Sequence, residues 1–132
     1  MFFQKIAYAN RKILCKVNDI LNLYGLNTSD WRVFLYLSMH QSSNITLICE
    51  FYEIDRAILS RNVAKLEKLG FLEFLSPDDK REKFITLSTK GKEVFFDANI
   101  KIRRYESEVF SVLTKEEKDL FLKLVDSINH NL

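Results

Sequence analysis

The sequence predicts a mainly α chain carrying one small β-hairpin. Three observations point there. Only three Gly and one Pro occur in 132 residues, so few positions interrupt long helices. Apolar residues recur at helical spacing in segment after segment, with capping residues between them. One region departs from that period: two short β-type runs, Phe71 to Leu75 and Lys83 to Leu87, joined by Ser76-Pro77-Asp78-Asp79-Lys80-Arg81. A hydrophobic content of 47% excludes a disordered chain, and the length suits one domain over residues 1–132.

The first helix is expected from Phe3 to Tyr24, with Ile6, Ile13, Leu14, Val17, Ile20 and Leu21 in a helical period. Gly25 ends it, as a residue free to adopt positive φ. Met1-Phe2-Phe3 is too apolar to be left in water, which predicts packing on a partner chain. Thr28 is placed to cap a second helix reaching His40. Trp31, Val33, Phe34, Leu35, Leu37 and Met39 cover more than one of its faces, which predicts a central, buried helix.

Gln41-Ser42-Ser43-Asn44 is a polar break, and Ser43 or Asn44 can cap a short helix over Ile45 to Tyr52. After a turn at Tyr52-Glu53-Ile54, a fourth helix runs from about Asp55 to Leu69 and stops at Gly70. Leu59, Val63 and Leu66 form its core stripe. The opposite face carries Arg56, Ala57, Ser60, Arg61, Ala64, Lys65 and Lys68. Arginine pairs bidentately with guanine, and small Ala and Ser allow close approach to base edges and thymine methyls. An ordinary solvated helix face carries similar charges, so this helix alone leaves the two readings even.

The hairpin shifts the balance. Pro77 fixes its turn, and Lys80, Arg81 and Lys83 make it basic, with Asp79 placed to brace Arg81. A hairpin-tip arginine beside a basic helix can enter the minor groove. Helix, turn, helix and basic hairpin, in that order over 28–91, are the sequence form of a winged helix-turn-helix. Charge distribution agrees: Asp55 to Lys92 holds nine Lys or Arg against six Asp or Glu, whereas Glu93 to Leu132 holds six against eight.

Ser88 caps a further helix, expected to reach Leu113. Thr114-Lys115-Glu116-Glu117 is a capping-box sequence opening a last helix to about Asn129. Leu120, Phe121, Leu124, Val125 and Ile128 lie on one stripe of it. Segments 1–24 and 92–132 have more apolar surface than so small a chain can cover, and they are read as dimerisation helices.

Other functions find little support. There are two His, no Gly-rich phosphate loop, and no spacing of a catalytic triad or metal site, so neither an enzyme nor a cofactor is expected. Cys15 and Cys49 sit in apolar contexts without CxxC spacing and are read as buried, reduced thiols. The N-terminus lacks a signal-peptide pattern and no apolar run approaches membrane-spanning length, so a soluble, cytoplasmic protein is expected.

These residues resemble the multiple-antibiotic-resistance regulator (MarR) family of winged-helix transcription factors. The resemblance is carried by Gly25-Leu26-Asn27-Thr28-Ser29-Asp30-Trp31-Arg32-Val33 and by Ile54-Asp55-Arg56-Ala57-Ile58-Leu59-Ser60-Arg61. It continues through Leu66-Glu67-Lys68-Leu69-Gly70-Phe71-Leu72-Glu73 and Asp79-Lys80-Arg81 to Leu87-Ser88-Thr89-Lys90-Gly91 and Leu113-Thr114-Lys115-Glu116-Glu117. It implies a bacterial or archaeal homodimer, with terminal helices interlocked, that binds double-stranded DNA at a pseudo-palindrome, usually as a repressor. It also implies a small phenolic or anionic effector, bound near Tyr36 and His40, with Arg11 and Lys12. Three features depart from the family pattern. Glu53 stands where Gly is usual, Asn62 where Leu is usual, and the hairpin is one residue short before Pro77. The rival reading is a winged-helix adaptor that binds another regulator and little DNA. Arg61 and Arg81 discriminate the two.

Overall fold

The computed structural model describes residues 1–75 and 83–132. It is mainly helical with one two-stranded antiparallel hairpin. The helices are α1 (Phe2–Asn22), α2 (Thr28–Met39), α3 (Ile45–Tyr52), α4 (Arg56–Lys68), α5 (Thr89–Val109) and α6 (Lys115–Asn131). The strands are β1 (Leu72–Leu75) and β2 (Phe84–Leu87), with Leu72 opposite Leu87 and Leu75 opposite Phe84. The chain falls into two compact units, Met1–Asn99 and Ile100–Leu132. The hairpin tip, including Lys80, Arg81 and the expected Asp79 brace, lies outside the described residues.

Most boundaries follow from local chemistry. Asn44 caps α3, its side chain accepting from Leu47 N at 2.9 Å. Asp55 caps α4 through Ala57 N at 2.8 Å. Thr114 and Glu117 close the expected capping box at the start of α6. Gly25 and Gly70, at φ 74° and 81°, end the segments they were expected to end.

The first helix ends at Asn22 rather than Tyr24, and two further boundaries differ from expectation. The cap of α2 is Asn27, not Thr28: Asn27 Oδ1 accepts from Asp30 N while the Asp30 carboxylate accepts from Asn27 N, a reciprocal box that Thr28 could not form with that partner. The α-helix after Ser88 ends at Val109 rather than Leu113. Phe110–Val112 tightens into a 3-10 turn, where Ser111 Oγ donates to Glu108 O at 2.7 Å.

In the first unit α2 is central, as expected. Trp31, Val33, Phe34, Tyr36 and Leu37 are buried on it. Trp31 stacks on Phe95 at 5.1 Å, and Phe34 meets Phe71 edge-on at 5.8 Å. Leu59, Val63 and Leu66 of α4 are buried with Ile48 of α3. The hairpin is anchored on both sides of its base. Ser43, just before α3, pairs with Ile85 through two backbone hydrogen bonds of 3.1 and 2.8 Å, effectively adding a third short strand. Ser88 Oγ donates to Gly70 O at 2.6 Å and accepts from Gly91 N at 3.0 Å, which ties the first turn of α5 to the start of β1.

Each unit leaves apolar surface open. On α1, Phe2 and Phe3 are each 84% exposed, and Ile6 and Leu14 are also exposed. On α6, Leu120, Leu124 and Ile128 are half exposed along one stripe. Cys15 is exposed and Cys49 only partly covered, which corrects the expectation of two buried thiols. For Cys15 the expectation failed because, among the described residues of Met1–Asn99, none covers that face of α1. Among the described residues, no helix is long and apolar enough to cross a membrane.

The helix-turn-helix bend holds one strained residue. Glu53 takes the left-handed conformation at φ 53°, ψ 49°, and it is the non-glycine residue at positive φ among those described. Its Cβ is strained there, whereas glycine adopts the same angles freely. Glu53→Gly is therefore expected to stabilise the protein by up to about 1 kcal/mol, after the added flexibility of the unfolded chain is offset. A urea titration should show a higher midpoint with an unchanged slope.

Candidate nucleic-acid interface

The two helices of the bend present α4 outward. Its stripe of Leu59, Val63 and Leu66 is inside, and Arg56, Ala57, Arg61, Ala64, Lys65 and Lys68 are on the open side. Ser60 is half-buried at the edge of that face. Two arginines are pre-ordered. Arg56 Nη1 donates to Thr46 Oγ1 of α3 at 2.7 Å, and Arg61 Nε reaches Ala57 O at 3.3 Å. Such partners restrict long side chains without removing their remaining N–H donors, since a guanidinium has five. From the hairpin, Lys83 is exposed, with its Nζ 5.6 Å from the centre of the Phe74 ring.

Lys65 has a second allegiance that its place in the sequence did not reveal. Its Nζ lies 2.6 Å from Asp30 Oδ2, and Asp30 is fully buried. Asp30 Oδ1 accepts from Asn62 Nδ2 at 2.9 Å. Asn62 Oδ1 in turn accepts from Ser29 Oγ at 3.1 Å, and Ser29 Oγ accepts from Arg32 Nη2 at 2.9 Å. One polar chain thus runs from the first turn of α2 into the inner side of α4. The sequence held a signal for it: a polar Asn62 beside the buried Leu59-Val63-Leu66 stripe requires a buried partner. Nothing in the sequence said that the partner was Asp30.

The four residues suggested for an effector fall into two pairs. Tyr36 and His40 stack at 4.3 Å on α2, and Tyr36 meets Phe51 and Tyr52 of α3 edge-on. Burial pushes the Tyr52 hydroxyl above its ordinary range, an effect that the nearby Arg32 charge opposes and Tyr36 reinforces. Tyr52 is therefore a neutral O–H at physiological pH. Arg11 and Lys12 are exposed on α1, and both lie over the ring of Tyr8, at 5.5 and 5.9 Å. The structure brings Tyr36 and His40 together; among the described residues no contact joins them to Arg11 or Lys12. Sequence reasoning missed an open cleft of about 700 Å³ beside the other side of α2. Leu37, Phe95 and Phe96 give it apolar walls, and Ser38, Gln41 and Lys92 give it polar groups.

Comparison with known proteins agrees with this architecture. A model of the MarR family matches residues 24–82, which span α2 through the hairpin tip. The chain is 26% identical over 120 residues to a Bacillus subtilis (strain 168) protein named uncharacterized HTH-type transcriptional regulator YwoH, covering 91% of this chain and 88% of that one. A mutant MarR from Escherichia coli, solved in complex with operator DNA, superposes with a TM-score of 0.84 at 20% identity over 95% of this chain and 91% of the other. The Staphylococcus aureus MarR, solved in complex with salicylate and kanamycin, gives 0.88 at 18% identity over 97% and 87%. The family match over residues 24–82, the order of elements and the outward α4 converge: the chain has the winged helix-turn-helix fold of the MarR structures and is similar in sequence to MarR-family transcriptional regulators.

Proposed function

We propose that this protein is a homodimeric, sequence-specific DNA-binding regulator that represses from a pseudo-palindromic operator. The observation that carries the reading is α4 itself, a helix with a buried apolar stripe and an open face of arginines and small residues. Arg56, Ala57, Ser60 and Arg61 are the proposed base-reading set in the major groove. Lys83, with Lys80 and Arg81 at the hairpin tip, is proposed to hold the flanking phosphates and minor groove. The apolar faces of α1 and α6 are proposed to be covered by a second copy, which places two α4 helices on two half-sites.

A small phenolic or anionic effector is proposed to release the DNA. The E. coli relative was solved on operator DNA and the S. aureus relative with salicylate, which supports both partner classes. The cleft lined by Leu37, Phe95, Phe96 and Lys92 has the size and mixed lining of a small-molecule site. Tyr36 and His40 lie on the same helix, and Arg11 and Lys12 remain the proposed cations of α1.

Fluorescence anisotropy tests the DNA reading. The duplex comes from upstream of the protein's own gene or from selection out of a random library, with a scrambled duplex beside it and a salt series for each. Arg61→Ala is expected to cost about 1–3 kcal/mol of discrimination between the two duplexes. Arg81→Ala is expected to weaken both alike and to lower the slope of log affinity against log salt by about one. If neither variant changes affinity, the regulator reading fails and the adaptor reading replaces it.

A further inference from the structure

The geometry points to Asn62 and Lys65 as positioning residues that fix the pose of α4 for base reading through Asp30, with Lys65 acting there rather than as a phosphate contact. The inference rests on the DNA-binding reading above. Residues 62 and 65 are three apart on α4 and share a face. They take separate oxygens of one carboxylate, Asn62 on Oδ1 at 2.9 Å and Lys65 on Oδ2 at 2.6 Å. The carboxylate is immobile, because it is fully buried and its Oδ2 also accepts from Asn27 N at 3.0 Å inside the capping box of α2.

Two donors on one fixed carboxylate resist both sliding and rolling of α4. The apolar contacts of Leu59, Val63 and Leu66 hold the helix down without fixing its register, since hydrophobic contact is non-directional. Base reading demands that register, because a bidentate side chain must meet one base edge in plane. Non-specific binding does not, because it depends on charge and counterion release. The clamp therefore acts on selectivity, and a Lys65 ammonium seated 2.6 Å from a buried carboxylate is a poor candidate for a phosphate.

The test compares Lys65→Met, Lys65→Arg and the charge-neutral Asn62→Leu with wild type, on a duplex that the wild-type protein selects from a random library and on its scrambled form. Lys65→Met and Asn62→Leu are expected to lower the selected-to-scrambled affinity ratio tenfold or more. Salt slopes should stay at the wild-type value, and Lys65→Arg should retain most of the ratio. Asn62 is buried and uncharged, so its effect cannot come from a lost phosphate contact. Two results overturn the proposal: an Asn62→Leu ratio equal to wild type, or a Lys65→Met loss that is equal on both duplexes with a slope lower by about one. If the wild-type protein selects no duplex, the DNA reading itself fails. Native-state amide exchange then judges the clamp: faster exchange in α4 of Lys65→Met, restored in Lys65→Arg, supports it, and unchanged exchange overturns it.

Discussion

Gly91→Ala is expected to lower the stability of the protein by about 3 kcal/mol or more, the sum of overpacking at roughly 1–3 kcal/mol and the hydrogen bonds it disturbs at about 1 kcal/mol each. A Cβ at this position would lie 2.1 Å from the carbonyl oxygen of Phe71 and 3.0 Å from its carbon. Both are backbone atoms, so no rotamer change relieves the clash. The oxygen is also committed, accepting from Ser88 N at 3.0 Å. Ser88 in turn holds Gly70 O and Gly91 N, so any retreat of α5 from the hairpin pulls on the whole junction. The better helix propensity of Ala returns only about 1 kcal/mol. Gly25→Ala is the control. Its Cβ would meet nothing within 4 Å, and the cost there is the left-handed backbone alone, about 1–2 kcal/mol. Guanidinium titrations of both variants check the ordering. A Gly91→Ala midpoint at or above that of Gly25→Ala would mean that α5 can move off the hairpin freely.

Much of this fold was legible because it is local. Asn44 before α3 and Thr114 with Glu117 before α6 act over three residues, within reach of a sequence pattern. The Leu59-Val63-Leu66 stripe needs only the helical period. The left-handed Glu53 was legible as a departure from a pattern that usually has Gly there. Other features are settled by distant contacts or by competition. Asn27 and Thr28 are both good caps, and Asp30 three residues after Asn27 decides between them. Cys15 reads as buried from its apolar neighbours, but those neighbours face outward from α1. The site divides in the same way. The charges on α4 were plain, but not which cation was already held. Lys65 and its carboxylate are 35 residues apart, and no periodicity links them.

Asp30→Ala is expected to cost about 3 kcal/mol, and clearly more than Lys65→Met at about 1 kcal/mol, although both break the same ion pair. The asymmetry follows from what each deletion strands. Without Asp30, Asn27 N loses its acceptor and the capping box of α2 keeps only its Asn27 half, a loss of about 1 kcal/mol. Asn62 Nδ2, only 9% exposed as a residue, loses its acceptor in a place water reaches poorly, which costs roughly 1–3 kcal/mol. The Lys65 ammonium is 41% exposed and can swing into water, so its release adds little. Without Lys65, Asp30 keeps the donors Asn27 N and Asn62 Nδ2, and water can approach Oδ2 from the side that the ammonium leaves. A chemical-denaturation cycle of the two single variants and the double variant separates these parts. The double variant should be nearly as unstable as Asp30→Ala alone, since Lys65 has no further work once its carboxylate is removed. Costs that add in full would mean that Lys65 stabilises the fold through some contact other than Asp30, and the clamp on α4 would lose its outer arm.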